Sequence, residues 1–107
     1  MTTLQILKAA RELISVPEAW TTRTMARSES GMKVDPCSDR AVCWCLHGAL
    51  QHVIGFNYGL PIEVYAALDR VHPVNPTAFN DTHSYTDTLG FLDQAIALEE
   101  ARANREG

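Results

Sequence analysis

The chain has 107 residues, 46% hydrophobic and 7% aromatic, with 13 acidic against 9 basic side chains for a net charge of −4. That size and composition predict a single domain over 1–107, with one core that needs no metal or disulfide staple, and exclude a disordered chain. No apolar run approaches the ~20 residues that span a bilayer, and the acidic balance argues against direct nucleic-acid binding, which needs cations to neutralise phosphates.

Thr2 or Thr3 can cap a first helix running to about Ile14, because Ile6, Ala10, Leu13 and Ile14 recur at helical spacing. Val16-Pro17 ends it, since the residue before proline avoids the helical region. Thr21, Thr22 and Thr24 then favour extended backbone. The polar run Arg27-Ser28-Glu29-Ser30-Gly31 reads as a turn. Met25 and Ala26 before it, with Met32 and Val34 after it, predict a small hairpin that must lean on the helices.

Asp35-Pro36-Cys37-Ser38-Asp39 reads as a turn with Ser38 or Asp39 as a helix cap. The stripe Val42, Cys45, Leu46, Ala49, Leu50 and Val53 predicts a buried central helix over Ala41 to Val53, with Ala41, Trp44 and Gly48 off the stripe and Gly55 as its stop. Phe56 to Leu60 is a connection. Pro61 opens a third helix to about Val71, with Ile62, Tyr65, Ala66 and Leu68 expected to face inward. The prolines of His72-Pro73-Val74-Asn75-Pro76 break the chain, and Phe79-Asn80-Asp81 reads as ordered loop. Ser84-x-x-Asp87 resembles a capping box before a last helix from Tyr85 to about Ala103, with a frayed tail from Arg102. The expected fold is mainly α: a compact bundle of about four helices with a β-hairpin between the first two.

Charge is unevenly distributed. Residues 1–60 hold six basic and five acidic side chains, whereas residues 61–107 hold three basic and eight acidic. An acidic face can steer basic partners, although an ordinary solvated helix face is the favoured reading. The three cysteines are Cys37, Cys43 and Cys45. An odd count, with no basic and apolar leader at the N-terminus, points to reduced thiols and a cytoplasmic protein.

Three groupings could carry chemistry. On a regular helix Cys43 and His47 share a face while Cys45 points away, so no zinc tetrahedron forms and no metal or other cofactor is expected. A thiol nucleophile would use Cys37, placed near the expected helix N-terminus, with His72 or His83 as base and Asn80 or Asp81 to orient it. The run Phe79-Asn80-Asp81-Thr82-His83 would either bind a ligand or cap the final helix. No phosphate-loop, dinucleotide, zinc-protease or serine-hydrolase motif is present.

Ala19-Trp20, then Val34-Asp35-Pro36 leading into Ala41-Val42-Cys43-Trp44-Cys45-Leu46-His47-Gly48-Ala49-Leu50, then Phe79-Asn80-Asp81 ahead of a long helix form a recognisable set. It resembles the domain of unknown function 6197 family of small bacterial and phage proteins, from about Ile6 to Ala101. That family's helical Trp-Cys-x-x-Gly-Ala pattern corresponds here to Trp44, Cys45, Gly48 and Ala49, preceded by a short hairpin. His83-Ser84-Tyr85 departs from the Pro- and Gly-containing turn of the family. The resemblance implies a mostly helical fold and one structural unit of Trp20, Trp44, Cys45, Gly48, Asn80 and Asp81, with Asn80 and Asp81 folded onto the Trp44 side of the central helix. It carries no established activity, so no catalytic role transfers.

Function is therefore expected from the surface. The leading expectation is a small non-enzymatic interaction protein, of the phage or mobile-element inhibitor type, docking on a host or cellular protein. One alternative is a nucleotide- or metabolite-binding protein that uses Trp20, Trp44, Asn80, Asp81 and His83 as an aromatic wall with convergent polar groups. The other is a thiol-dependent enzyme. No membrane partner is expected, and a homodimer remains open.

Overall fold

A computed structural model describes residues 1–56 and 59–106. In chain order the elements are α1 (Thr3–Leu13), a 3-10 turn (Pro17–Ala19), β1 (Ala26–Ser28), β2 (Ala41–Trp44), α2 (Leu46–Ile54), α3 (Ile62–Val71), α4 (Pro76–Thr82) and α5 (Tyr85–Glu106). The architecture is mainly α with a small antiparallel pair of strands, as expected, but two boundaries, one helix and the buried face of another differ from the sequence reading.

α1 forms as predicted. Thr2 accepts from the Gln5 backbone N–H and Gln5 answers with a bond to the Thr2 N–H, a complete capping box. Its inner face carries Ile6, Leu7 and Ala10, and Ile14 is buried just beyond. α1 packs against α2 and α5, and α3 packs against α5. Apolar side chains from all five helices, with Ala26 and Trp44 of the strands, make one contiguous core.

The first correction concerns the expected central helix. Ala41–Trp44 is not its first turn but strand β2, pairing Ala26 with Trp44, Arg27 with Cys43 and Ser28 with Ala41. The register slips between Arg27 and Ser28, leaving Val42 without an opposite residue and facing solvent. The helix starts only at Leu46, and its N-cap is Cys45 rather than Ser38 or Asp39. Its stop at Gly55, in the left-handed region, is as expected. Val42, Cys43 and Trp44 suit a strand as well as a helix, and the free backbone edge of β1 decides between them. The expected turn survives beside it: Ser28 N–H donates to Met32 O at 2.8 Å and Val34 N–H donates to Ala26 O at 3.1 Å. β1 thus lies between β2 and the returning 32–34 segment.

The second correction is α4. Phe79, Asn80 and Asp81 are helical rather than loop, because Pro76 sits in the first turn and Asn75 Oδ1 accepts from Thr77 N–H (2.8 Å) and Ala78 N–H (3.3 Å). The third is the face of α3. Val64, Ala67 and Leu68 are buried, whereas Ile62 is 77% exposed and Tyr65 40% exposed. Finally, α5 continues to Glu106 instead of fraying from Arg102, with the Ser84 hydroxyl accepting from Asp87 N–H as expected at its start. The connection expected over Phe56 to Leu60 includes positions 57 and 58, which lie outside the described residues.

Gly48 marks the closest approach between α2 and the strand region. Cys45 N–H donates to Met25 O at 3.1 Å, and a Cβ built at Gly48 would overlap that same carbonyl oxygen. Gly48→Ala should therefore destabilise by about 2–3 kcal/mol through overpacking, reversing the ~1 kcal/mol gain that alanine normally brings to a helix. Thermal unfolding followed by circular dichroism should show Tm lower by about 10 °C, and an unchanged or higher Tm would refute the close approach.

Candidate functional site

Asn80 is a buried polar side chain at the meeting point of three segments. It is 0% exposed. Its Oδ1 accepts from Trp20 Nε1–H at 2.7 Å and from Leu46 N–H at 2.9 Å. Its Nδ2 donates to Thr21 O at 3.1 Å and to Asp81 Oδ1 at 3.3 Å. A carboxamide has two donors and two acceptor sites, so all four are used. Asn80 does accept a free helical N–H, but at the start of α2, 34 residues away, and not in the final helix.

Asp81 continues the same junction. Its Oδ1 accepts Arg23 N–H at 2.8 Å and so holds Arg23 at φ +68°, a left-handed conformation costly for an arginine. Thr21 N–H donates to Trp44 O at 3.0 Å, tying the 20–21 segment to the end of β2. The Trp20 ring lies 5.6 Å from Tyr85, whose hydroxyl donates to Ile14 O at 2.7 Å.

The two remaining residues of the expected ligand set point elsewhere. The Trp44 indole N–H donates to Pro36 O at 3.0 Å, and its ring lies 4.9 Å from that of His52, which bonds the same carbonyl at 2.7 Å. His83 stacks on Phe79 at 3.9 Å with planes 4° apart, in a cluster with His72 and Phe91. The structure thus brings Trp20, Asn80 and Asp81 together with the Trp44 backbone, and separates the Trp44 indole and His83 from them. The set is a filled junction rather than an aromatic wall around a ligand.

Beside that junction lies a cleft of about 380 Å³ lined by Arg23, Met25, Asp35, Cys45, Thr77 and Asp81, with Val34 and Pro36. Asp81 is its one residue from the expected set. At its edge, Cys45 Sγ accepts Gly48 N–H at 3.3 Å and caps α2, while the residue itself is 2% exposed. Burial, reinforced by the Asp81 charge, raises the Cys45 thiol pKa against the opposing pull of the Gly48 and His47 N–H groups.

The cysteine groupings dissolve for a simple reason: Cys37 and Cys43 are not on a helix. Cys37 sits in the turn before β2, donates to Gln51 O at 3.5 Å, and has its pKa raised by burial and then by Asp35. Cys43 lies on β2, with Arg27 O at 3.9 Å. The histidines are engaged elsewhere: His47 with Tyr65, His52 with Pro36, His72 against the Phe79 and Phe91 rings, and His83 with Phe79 and Thr82. Among the described residues no cysteine sulfur shares a hydrogen bond with a histidine ring.

A second concavity was missed in the sequence because α3 was rotated onto the wrong face. It is a groove of about 430 Å³ between α3 and the 73–76 turn, lined by Ile62, Tyr65, Ala66, Asp69, Pro73 and Val74 among others. Ile62, Tyr65 and Val74 are 77%, 40% and 39% exposed. Val64, Ala67, Leu68 and Val71 also recur at helical spacing, so the sequence holds this stripe beside the one through Ile62 and Tyr65 and does not choose between them.

If Asn80 is structural, Asn80→Ala should destabilise by about 3 kcal/mol, because it strands the Trp20 and Leu46 N–H groups and the Thr21 carbonyl. Chemical denaturation followed by tryptophan fluorescence reads this directly. A loss under about 0.5 kcal/mol, the range of neutral surface changes, would return Asn80 to the pool of ligand-binding candidates.

No curated protein and no solved structure matches this sequence. Residues 1–98 match the model of a family of unknown function, DUF6197. The match spans every element up to most of α5, including the Trp-Cys-x-x-Gly-Ala segment at the start of α2 and the Asn80 junction, and the chain belongs to that family.

Proposed function

We propose that the protein is a small non-enzymatic interaction module whose docking surface is the groove between α3 and the 73–76 turn. The observation that carries this reading is the exposure of Ile62, at 77%, beside Tyr65 and Val74 around a concave surface. Large apolar side chains grouped at a concavity are favoured contacts in interfaces, whereas scattered ones need no explanation. The walls support the reading: α3 is anchored to the core through Val64, Ala67 and Leu68, and Pro73 and Pro76 restrict the opposite wall. A preformed groove loses little entropy on binding. A partner protein of a host cell, and the phage or mobile-element inhibitor role, fit a small acidic module of this kind and belong to the same proposal.

The test is site-specific photocrosslinking. A benzophenone amino acid at Tyr65 should give a discrete protein adduct in cells expressing the chain, and Val74→Asp should suppress it. The same probe at Lys33, on the returning 32–34 segment, should not give that adduct. Equal labelling from both positions, or none from Tyr65, would sink the reading.

A second reading has its own observation, the cleft of about 380 Å³ at Asp81 and Cys45. Its mixed lining of Arg23, Asp35 and Asp81 suits a small polar metabolite better than an aromatic ring. A ligand that binds only the folded chain raises Tm. A thermal-shift screen of nucleotides and polar metabolites should therefore yield a hit that Asp81→Asn weakens; a screen without one removes this reading.

A further inference from the structure

The charges around the groove identify the chemistry of its occupant, an inference that rests on the docking reading above. Half of the eight carboxylates of residues 61–107 are engaged within the chain. Asp93 pairs with Arg11 at 2.9 Å, Glu100 with Lys8 at 3.3 Å, and Glu99 with both Arg70 (2.7 Å) and Arg102 (3.0 Å). Asp81 is held on the Arg23 backbone. Two carboxylates on α3 are different. Asp69 lines the groove and Glu63 follows Ile62 in sequence, both are exposed, and neither forms an ion pair among the described residues. The nearby cation, Arg70, is turned toward Glu99 on α5. Asn75 uses its side-chain oxygen to cap α4. His47, which reaches Tyr65 at 3.4 Å, has its pKa lowered by burial and adds no positive charge at neutral pH. The groove is therefore lined largely by apolar side chains with the unpaired Asp69 carboxylate among them, and Glu63 lies on α3 outside that lining.

We infer that the groove takes a peptide segment of a partner protein in which an apolar anchor side chain lies within about four residues of a lysine or arginine. The length follows from geometry. Ile62 and Asp69 are seven positions apart, about 10 Å along a helix axis at ~1.5 Å per residue. An extended segment crosses that distance in three to four residues at ~3.3 Å each. The anchor would sit against Ile62, Tyr65 and Val74, and the cation would meet Asp69 or Glu63. Electrostatic attraction of this kind sets register and on-rate, while the buried anchor supplies most of the affinity.

The test uses the full chain as bait for a random twelve-residue peptide library displayed on phage, followed by fluorescence polarisation of the enriched peptides. Enriched sequences should pair a large apolar residue with nearby Lys or Arg. Ile62→Asp should weaken them at least about 10-fold, the equivalent of losing one buried aliphatic side chain. Ile62 is solvent-exposed at the start of α3, where an acidic residue is tolerated, so this variant should fold, and circular dichroism checks it. The Glu63→Gln, Asp69→Asn double variant should weaken binding about two- to fivefold, and added salt should weaken the original chain but not the double variant. Enrichment of acidic or uncharged peptides that still require Ile62, or binding indifferent to salt, overturns the basic-segment inference and leaves the docking reading standing. An absence of any peptide sensitive to Ile62→Asp sinks the docking reading itself. Concentration-dependent mass in sedimentation, abolished by Ile62→Asp, would assign the groove to a second copy of the chain and also overturn the inference.

Discussion

The fold turns on one buried carboxamide. Asn80 receives the Trp20 indole N–H and the first backbone N–H of α2, and donates to Thr21 O and to its neighbour Asp81. Three segments distant in sequence meet there: the stretch after the 3-10 turn, the β2–α2 corner and α4. A buried amide is tolerable only when its valences are filled, and here the partners are unique enough to admit a single arrangement. Because α4 must present Asn80 to the start of α2, it packs directly on that helix. Because Asp81 follows on the same turn, it can hold Arg23 in its unusual backbone conformation.

From that junction the rest of the site follows. α2 can begin at Leu46 because its free N–H groups find acceptors in the Asn80 carboxamide and the Cys45 sulfur. It can approach β1 because position 48 has no side chain to meet Met25 O. The Trp-Cys-x-x-Gly-Ala segment is thus a corner between strand and helix, and its characteristic residues act mechanically. Trp44 closes onto Pro36 and His52, Cys45 caps the helix, and Gly48 admits the neighbouring backbone. The Cys45 sulfur is buried beside a carboxylate, which favours the neutral form.

Charge tells a parallel story. The acidic excess of the C-terminal half looks in sequence like one continuous face. In the fold, α5 places Asp93, Glu99 and Glu100 against Arg11, Arg70 and Lys8, so these carboxylates tie the outer helix to α1 and α3. Such exposed pairs contribute little stability each, but they remove those charges from the field available to a partner. Among the described residues, Glu63 and Asp69 on α3 and Asp87 on α5 form no ion pair, and Asp69 lies in the groove with the exposed Ile62 and Tyr65. Net charge therefore described the chain, while pairing decided where a basic partner would feel it.

The sequence by itself determined the elements whose signals are local. The threonine cap of the first helix, the proline breaks around His72, the glycine stop at Gly55 and the Ser84 cap all rest on side-chain chemistry acting within four residues, and all appear as read. The family resemblance implied that Trp20, Trp44, Asn80 and Asp81 belong to one unit, and the structure joins Trp20, Asn80 and Asp81 to the Trp44 backbone. Only the tertiary structure decided what is non-local. Ala41–Trp44 became a strand because β1 offered a backbone edge, and Asn80 became a cap for a helix 34 residues away. The groove on α3 became visible only when packing against α5 selected Val64, Ala67 and Leu68 as its inner face and left Ile62 and Tyr65 outside. Periodicity marks a helix as amphipathic, but with apolar residues on more than one face only the shape of its neighbours chooses which one is buried.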